Sequence, residues 1–220
     1  MKLLLIRLEG ALQSWGEWAK WDERDSGLMP TKSGVIGLIA CCAGLKRGDP
    51  FIAELHRKLV FAVRGDRPGT IMTDFHTVHS NTMRTADGTI QDRTIVSHRQ
   101  YLMDSAFLAA IGVRNQEDEP LLDRCGEALK RPVWTPFLGR KSCIPSAPLF
   151  CGFVTEYASP AEALKSIPLL QREGQEPADH VLIRFESKTG ESRHPDALMN
   201  SEKRVFSVNQ YGQIPYVLHA

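Results

Sequence analysis

The chain has 220 residues, 42% of them hydrophobic and 24% charged, a composition that excludes a disordered, collagen-like or fibrous protein. Its 27 basic and 26 acidic side chains give a formal charge of +1, so a nucleic-acid site has to come from local clusters of cations. The five cysteines lack C-x-x-C spacing, which fits neither a zinc site nor a secreted disulfide framework and indicates a reducing cytoplasm.

The amino-terminal elements are predicted to be a strand followed by two helices. Residues 3–8 are apolar on both faces, as in a central strand, and this run is too short for a signal peptide or a membrane span. Residues 30–33, Pro-Thr-Lys-Ser, open a helix that ends at Gly44, because apolar residues follow them at helical spacing. Asp49 and Pro50 mark the start of the second helix.

Strands and helices alternate through the rest of the chain. Further strands are predicted at residues 59–63, 73–78, 95–102, 107–113, 149–154, 181–185 and 205–208, and helices around residues 121–130 and from a capping box at residues 159–162. The order β-α-β-β, with a partial second copy, predicts an α+β, ferredoxin-like fold. We expect a ferredoxin-like domain over residues 1–150 and a smaller C-terminal α/β part, residues 151–220, packed against it.

The start of the first predicted helix carries a Lys-Ser pair, as the phosphate-cradling loops of nucleotide hydrolases do. The required spacing and second glycine are missing, since Thr31 stands where that glycine is needed. Backbone amides at the helix start, together with Lys32 and the hydroxyls of Thr31 and Ser33, can still seat one backbone phosphate. The alternative is an ordinary helix cap.

Three tryptophans follow the first strand and lie close to basic residues. Trp15, Trp18 and Trp21 alternate with Lys20 and Arg24, and aromatic rings beside cations can stack on unpaired bases. The alternative is packing in the core, which we favour for at least two of the three tryptophans.

A polar stretch between predicted strands, residues 79–99, is poor in apolar side chains. A polar excursion of this length is usually functional or mobile. It carries Arg84, Arg93, His98 and Arg99, and the six-residue spacing of Arg93 and Arg99 places them on one face of an extended chain. The pattern predicts an arm that reaches toward an extended partner.

Residues 138–143, Leu-Gly-Arg-Lys-Ser-Cys, combine a glycine turn with two cations and a hydroxyl. Gly139 allows backbone to approach a phosphate closely, and Arg140 can hold that phosphate with its planar guanidinium. Lys141 and Ser142 add a charge and a further donor. We interpret this turn as an anion site.

Six stretches of the sequence, taken together and in this order, resemble the CasD family of type I-E CRISPR systems, within the repeat-associated mysterious protein (RAMP) superfamily. They are LEGALQSWG (residues 8–16), PTKSGVIGLI (30–39), FAVRGDRPG (61–69), DFHTV (74–78), YLMDSAF (101–107) and LGRKSCIPSAPLF (138–150). The resemblance covers about the first 155 residues, and we expect it to fade after that point.

The resemblance implies an RRM-like, ferredoxin-like RAMP fold with an inserted thumb hairpin at about residues 79–100. It implies a cytoplasmic, non-enzymatic subunit of the Cascade antiviral complex that holds the 5′ handle of the crRNA and caps the backbone filament. The implied partners are CasC-type backbone subunits, the large CasA-type subunit, the other Cascade subunits and, indirectly, target DNA, with no membrane, cofactor or metal. The candidate RNA-binding residues are Lys32, Ser33, Arg84, Arg93, His98, Arg99, Tyr101, Gly139, Arg140, Lys141 and Ser142.

Enzymatic functions remain as alternatives. Relatives in type I-C systems cut the repeat RNA without a metal, and His98, Arg99 and Tyr101 could supply a base for the ribose 2′-hydroxyl and a cation for the phosphorane. Because side chains alternate along a strand, His98 and Arg99 would face opposite sides. A small-molecule enzyme would need a nucleophile motif, a metal cluster or a complete nucleotide loop, and the sequence contains none of these.

Overall fold

The computed structural model describes residues 1–16, 23–79, 83–84, 88–91, 94–171, 180–187, 192–200 and 205–217. The strands are β1 (Leu3–Gln13), β2 (Glu23–Arg24), β3 (Leu59–Arg67), β4 (Thr70–Val78), β5 (Met83–Arg84), β6 (Ile90–Gln91), β7 (Ile95–Val113), β8 (Phe150–Val154), β9 (His180–Glu186), β10 (Ser192–Asn200) and β11 (Val205–Val217). The helices are α1 (Lys32–Cys42), α2 (Pro50–Lys58), α3 (Pro120–Lys130) and α4 (Pro160–Ser166).

The helix starts predicted from local sequence are confirmed. Thr31, Asp49 and Ser159 are the caps of α1, α2 and α4, and each side chain accepts a hydrogen bond from a backbone amide of the first helical turn. Proline occupies the first turn of α2 and α4, where its missing N–H costs no hydrogen bond. None of the described helices is long and apolar enough to cross a membrane.

Nine of the described strands form one large, mainly antiparallel sheet in the order β10-β11-β9-β3-β7-β1-β8, with β2 and β4 also paired to β7, and β5 and β6 pair separately. Within it, β8-β1-β7-β3 is connected by α1 and α2 between β1 and β3, and by α3 between β7 and β8. This is the strand order and connectivity of a ferredoxin-like unit. The prediction of an α+β fold is confirmed.

The two faces of the sheet bury different sets of side chains. On β1, Leu4, Ile6 and Leu8 belong to the larger core, which also contains the buried residues of α1, α2 and α3. Leu5 points to the other face, where it joins a smaller cluster with Leu164 of α4. Because β1 is covered on both sides, it reads as a continuous apolar run, as the sequence predicted for a central strand.

The predicted break between strands 95–102 and 107–113 is wrong, because β7 is continuous from Ile95 to Val113. Asp104 and Ser105 interrupt the apolar pattern, but Ser105 is paired with Gly10 of β1, so the ladder continues through the polar stretch. The sequence also did not indicate β10, whose polar residues form a strand through pairing with β11.

The C-terminal strands continue the same sheet instead of forming a separate one. Ala62–Gly65 of β3 pair antiparallel with residues 182–185 of β9, and β9 pairs with β11. The sheet therefore contains strands from both sides of the division predicted at residue 150.

A buried arginine of β3 fixes the end of α4 to the sheet. Arg64 of β3, which is almost completely buried, donates from Nε to Asp66 Oδ1 at 2.5 Å. Its guanidinium also donates to the carbonyls of Leu164, Ile167 and Pro168, at the end of α4 and just beyond it. Arg64 thereby satisfies the carbonyl of Leu164 in the last turn of this helix and two carbonyls of the segment that follows it.

Candidate nucleic-acid interface

β4 and the first half of β7 form a two-stranded arm. Their antiparallel register runs without a shift, with Phe75 opposite His98 and Asp74 opposite Arg99. Facing residues in such a pair point to the same side of the sheet. Phe75 and His98 therefore lie on one face of the arm, and Asp74 and Arg99 lie on the other, in agreement with the predicted alternation of His98 and Arg99.

One face of the arm is aromatic and aliphatic. The side chain of Phe75 is 62% exposed, and its ring meets that of His98 edge to face with 5.5 Å between centroids. Ile71 and Val96 are also exposed large apolar residues of the arm. Val78 and Ile95, near the end of the arm, are exposed on the opposite face. Exposed apolar side chains grouped on a pair of strands are typical of a surface that contacts a partner.

The opposite face of the arm carries cations. β2 runs parallel to β7 and places Arg24 beside Arg99. Arg24 is exposed, whereas Arg99 is half-buried and its Nε donates to Ser97 Oγ at 3.2 Å. Asp74, opposite Arg99, lies 3.7 Å from His76 Nδ1.

The predicted thumb, residues 79–100, falls partly outside the described residues. Within it, β5 and β6 pair as a short hairpin, and Arg84 of β5 is exposed. Arg93 lies outside the described residues. The assignment of this segment as the thumb stays a prediction.

The glycine turn at residues 138–143 is held tightly against the end of β1. The amide of Leu138 donates to the carbonyl of Cys143 at 2.7 Å, and the amide of Ser14 donates to the carbonyl of Leu138 at 3.0 Å. Gly139 has φ +90°, and a Cβ added there would lie 1.6 Å from the carbonyl oxygen of Ser14. The turn therefore requires glycine both for its backbone conformation and for the close approach of β1.

Arg140 connects the glycine turn to the cationic face of the arm. Its Nη1 donates to the carbonyl of Gln100 at 2.8 Å, and its Nη2 donates to the carbonyl of Arg24 at 3.0 Å. The guanidinium lies over the ring of Tyr101, 4.6 Å from the centroid. Lys141 and Ser142, at the tip of the turn, are exposed.

These contacts assemble one surface from three segments that are distant in sequence. We call it the basic surface, and it consists of Arg24, Arg99, Arg140, Lys141 and Ser142. Arg140 is half-buried and already bound to backbone carbonyls, so the exposed charges of the basic surface come mainly from Arg24 and Lys141. A row of cations and hydroxyls of this kind can bind the phosphates of a single strand.

Comparison with known proteins decides the family. The model of the family described as "CRISPR-associated protein (Cas_Cas5)" matches residues 3–215. The chain belongs to the Cas5 family. It is 32% identical over 170 residues to the Escherichia coli (strain K12) protein named "CRISPR system Cascade subunit CasD", with 73% of this chain and 75% of that protein covered.

Solved structures support the same assignment to Cas5. A chain of a "CRISPR RNA-guided surveillance complex" has a TM-score of 0.80 and 34% identity, covering 98% of this chain and 90% of that chain. A second match, described as "Crystal structure of Cas protein", has a TM-score of 0.73 and 30% identity, with coverages of 98% and 95%. The resemblance to the CasD family is confirmed. The Cas5 family match continues to residue 215, past the point near residue 155 at which the resemblance was expected to fade, whereas the alignment with the CasD relative covers 73% of the chain.

Lys32, a predicted phosphate ligand, is a buried structural cation in this Cas5 chain. It is 2% exposed, and its Nζ donates to the carbonyls of His56 and Leu59 at 2.9 and 2.7 Å. The same Nζ forms a 2.9 Å ion pair with Glu186 Oε1 of β9. We therefore correct the sequence interpretation and leave Lys32 out of the basic surface.

Three further residues that the sequence offered as RNA-binding candidates have packing or capping roles. The Oγ of Ser33 is 3.3 Å from the Oγ1 of Thr31, beside an ordinary helix cap. Tyr101 is only 7% exposed and lies beneath Arg140, so its ring is not open to a base. Trp15 is buried, as the packing interpretation predicts, whereas Trp18 and Trp21 lie outside the described residues.

Several motif residues of this Cas5 chain join the core strands to one another. Glu9 of β1 accepts a hydrogen bond from Arg67 of β3 at 2.9 Å and also pairs with Arg7. Burial acts to raise the pKa of Glu9, but the hydrogen bonds from Arg67 and Arg7 hold this pKa below its ordinary value. Gln13 is fully buried and bonds to the carbonyls of Leu8 and Ser105. These stretches of sequence therefore specify the fold more directly than they specify a ligand.

The sequence interpretation missed a cleft of about 360 Å³ between α1, α2 and the segment before the glycine turn. Trp134 and Phe137 line one side of it, and Gly37 and His56 line the helical side. Two of the quoted motifs contribute to its lining, through Ser33, Gly37 and Gly139, but neither motif indicated a cleft. Among the described residues, no group of three or more His, Cys, Asp or Glu side chains is placed to hold a metal ion.

Proposed function

We propose that this Cas5 chain is a structural RNA-binding subunit of a CRISPR antiviral surveillance complex and holds the 5′ handle of the crRNA on the basic surface. The observation that carries the proposal is the link made by Arg140, which joins the glycine turn to the cationic face of the arm. The similar proteins named as a Cascade subunit and as part of an RNA-guided complex support the assignment.

The basic surface matches the chemistry of single-stranded RNA. Lys141 and Ser142 extend from a turn whose backbone is fixed at both ends, so binding a phosphate there costs little ordering of the protein. Arg24 and Arg99 continue the row of cations along β2 and β7. Phosphate contacts position the strand, and its splayed bases remain available for stacking and edge contacts.

The apolar face of the arm suits a protein neighbour. Ile71, Phe75 and Val96 are exposed there, on the side opposite the cations. We assign this face to the first CasC-type backbone subunit, so that the chain caps the filament while its other face holds RNA. The CasA-type subunit, the other Cascade subunits and, through the complex, target DNA complete the proposed set of cytoplasmic partners.

The geometry does not favour intrinsic RNA cleavage. His98 lies on the aromatic face of the arm and Arg99 on the cationic face. Tyr101 is buried under Arg140, so these three side chains do not converge on one phosphate. A metal-independent ribonuclease needs its base and its cation within reach of the same phosphate. We therefore propose that the chain is not an enzyme.

The test uses the full chain with labelled cognate repeat RNA in the presence of a chelator. We expect uncut RNA on a denaturing gel, together with binding that weakens as salt rises, because phosphate contacts release counterions. His98→Ala serves as the matched variant and is expected to behave like the wild type on the gel. A discrete cut that disappears in His98→Ala would establish the ribonuclease instead, and an absence of salt-sensitive binding would also reject the proposal.

A further inference from the structure

Gly37 occupies an exposed position inside α1 where neither backbone nor packing calls for glycine. Its φ is not positive, and a Cβ added there would meet no atom within 4 Å. Gly34, one turn earlier, is different, because a Cβ there would lie 2.9 Å from the ring of Trp15. Because alanine is favoured over glycine in a helix interior, the presence of glycine at position 37 needs another explanation.

The space beside Gly37 belongs to the cleft between α1, α2 and residues 133–139. The segment that carries its aromatic wall is fixed to α1, because the amide of Val133 donates to the carbonyl of Cys42 at 2.8 Å. Further along, the Sγ of Cys41 donates to the carbonyl of Thr135 at 3.5 Å. The far end of the segment is held by the glycine turn. The cleft is therefore already formed in the absence of a ligand.

The lining combines an aromatic wall with a few polar groups. Trp134 is 44% exposed and Phe137 is half-buried, while Ser33, His56 and Arg47 supply hydrogen-bonding groups. Burial and then the charge of Lys32 lower the pKa of His56 to about 3. A neutral imidazole can both donate and accept a hydrogen bond.

We propose that this cleft binds one unstacked nucleobase of the RNA, stacked against Trp134 and lying over the backbone at Gly37. The inference rests on the proposed function, and it follows from continuity with the basic surface, because Gly139 lines the cleft and also opens the phosphate-binding turn. A nucleobase can use both the flat apolar walls and the polar groups at their edge.

The test is a binding assay with the full chain and a labelled single-stranded RNA of the cognate 5′ handle, in which each position is made abasic in turn. In the wild type, one abasic position is expected to weaken binding about tenfold, the scale of one base stacked on an aromatic ring. Gly37→Leu fills the cleft and Trp134→Ala removes its wall. Both variants are expected to bind intact RNA about tenfold more weakly and to be insensitive to that abasic position.

Gly37→Leu is also expected to keep or raise the melting temperature, because open space surrounds the new side chain and glycine is removed from a helix. Ile144→Ala is the control, since Ile144 is an exposed apolar residue outside the cleft, and it should keep the wild-type sensitivity to the abasic position.

If both cleft variants retain that sensitivity to the abasic position, the inference is overturned. If the cleft variants instead fail to bind a protein subunit of the complex, the cleft is assigned to protein docking. If the wild type binds intact RNA but no abasic position matters, this inference alone fails. If the wild type does not bind the RNA, the proposed function fails as well.

Discussion

Lys32→Met is expected to lower the free energy of unfolding by about 3 to 5 kcal/mol, the usual cost of removing one partner from a buried ion pair. The ammonium of Lys32 is the shared donor for Glu186 and for the carbonyls of His56 and Leu59. Methionine has a similar length but donates nothing, so the carbonyls of His56 and Leu59 lose this charged donor, and Glu186 keeps Arg114, at 3.3 Å, as a cationic partner. Denaturant unfolding followed by circular dichroism measures the effect.

Two further variants distinguish the loss of stability that comes from breaking the ion pair from the loss caused by replacing any lysine. Lys32→Met combined with Glu186→Leu should recover part of the stability, because both buried charges are then removed. Lys130→Met, which removes an exposed lysine paired with Glu127, should leave the unfolding curve nearly unchanged. If Lys32→Met unfolded like the wild type but no longer bound RNA, Lys32 would be a phosphate ligand and its structural assignment would be wrong.

Arg99→Gln and Lys141→Gln are expected to weaken binding of handle RNA severalfold each at low salt, and more than tenfold when combined. Each variant removes a cation from the basic surface without disturbing the packing of the core. The salt dependence should also flatten, by about 0.7 in the slope of log K against log salt for each phosphate of the single strand that is no longer neutralised. Fluorescence anisotropy at several salt concentrations gives both quantities.

The matched control is Lys165→Gln on α4, which packs on the other side of the sheet from α1, α2 and α3. It removes the same charge and should change neither the affinity nor the slope. Equal effects of Lys165→Gln and Lys141→Gln would show that only net charge matters, and the basic surface would then have no special part in RNA binding.

The parts of the fold that local patterns encode could be predicted from the sequence. The cap at Thr31 and the apolar spacing that follows it specify α1 within a few residues, and β1 is visible as a short apolar run. β10 could not be predicted, because its strand conformation depends on pairing with β11 and its own sequence does not alternate apolar with polar residues. β7 continues past Asp104 for the same reason, since Met103 and Ser105 on either side of it are paired with Leu12 and Gly10 of β1.

The candidate site was predicted only in part, because the sequence around a residue does not show whether the folded chain buries its side chain. A lysine followed by serine at a helix start looks like an anion site, and nothing near Lys32 in sequence reveals Glu186, which lies 154 residues away. Gly139 was singled out for the close approach of a phosphate, and the close contact that the structure shows there is with the carbonyl of Ser14, which the sequence did not predict. Trp134 was overlooked because no motif surrounds it.

The most direct test of the central claim is photo-crosslinking of the full chain, within its assembled complex, to crRNA that carries 4-thiouridine in the 5′ handle. Mass spectrometry of the crosslinked peptides then locates the RNA on the protein. We expect crosslinks in two regions, residues 97–101 of β7 and residues 139–142 of the glycine turn, since Arg140 holds them together. Crosslinks confined to α4 and the other face of the sheet would contradict the claim that the basic surface holds the handle.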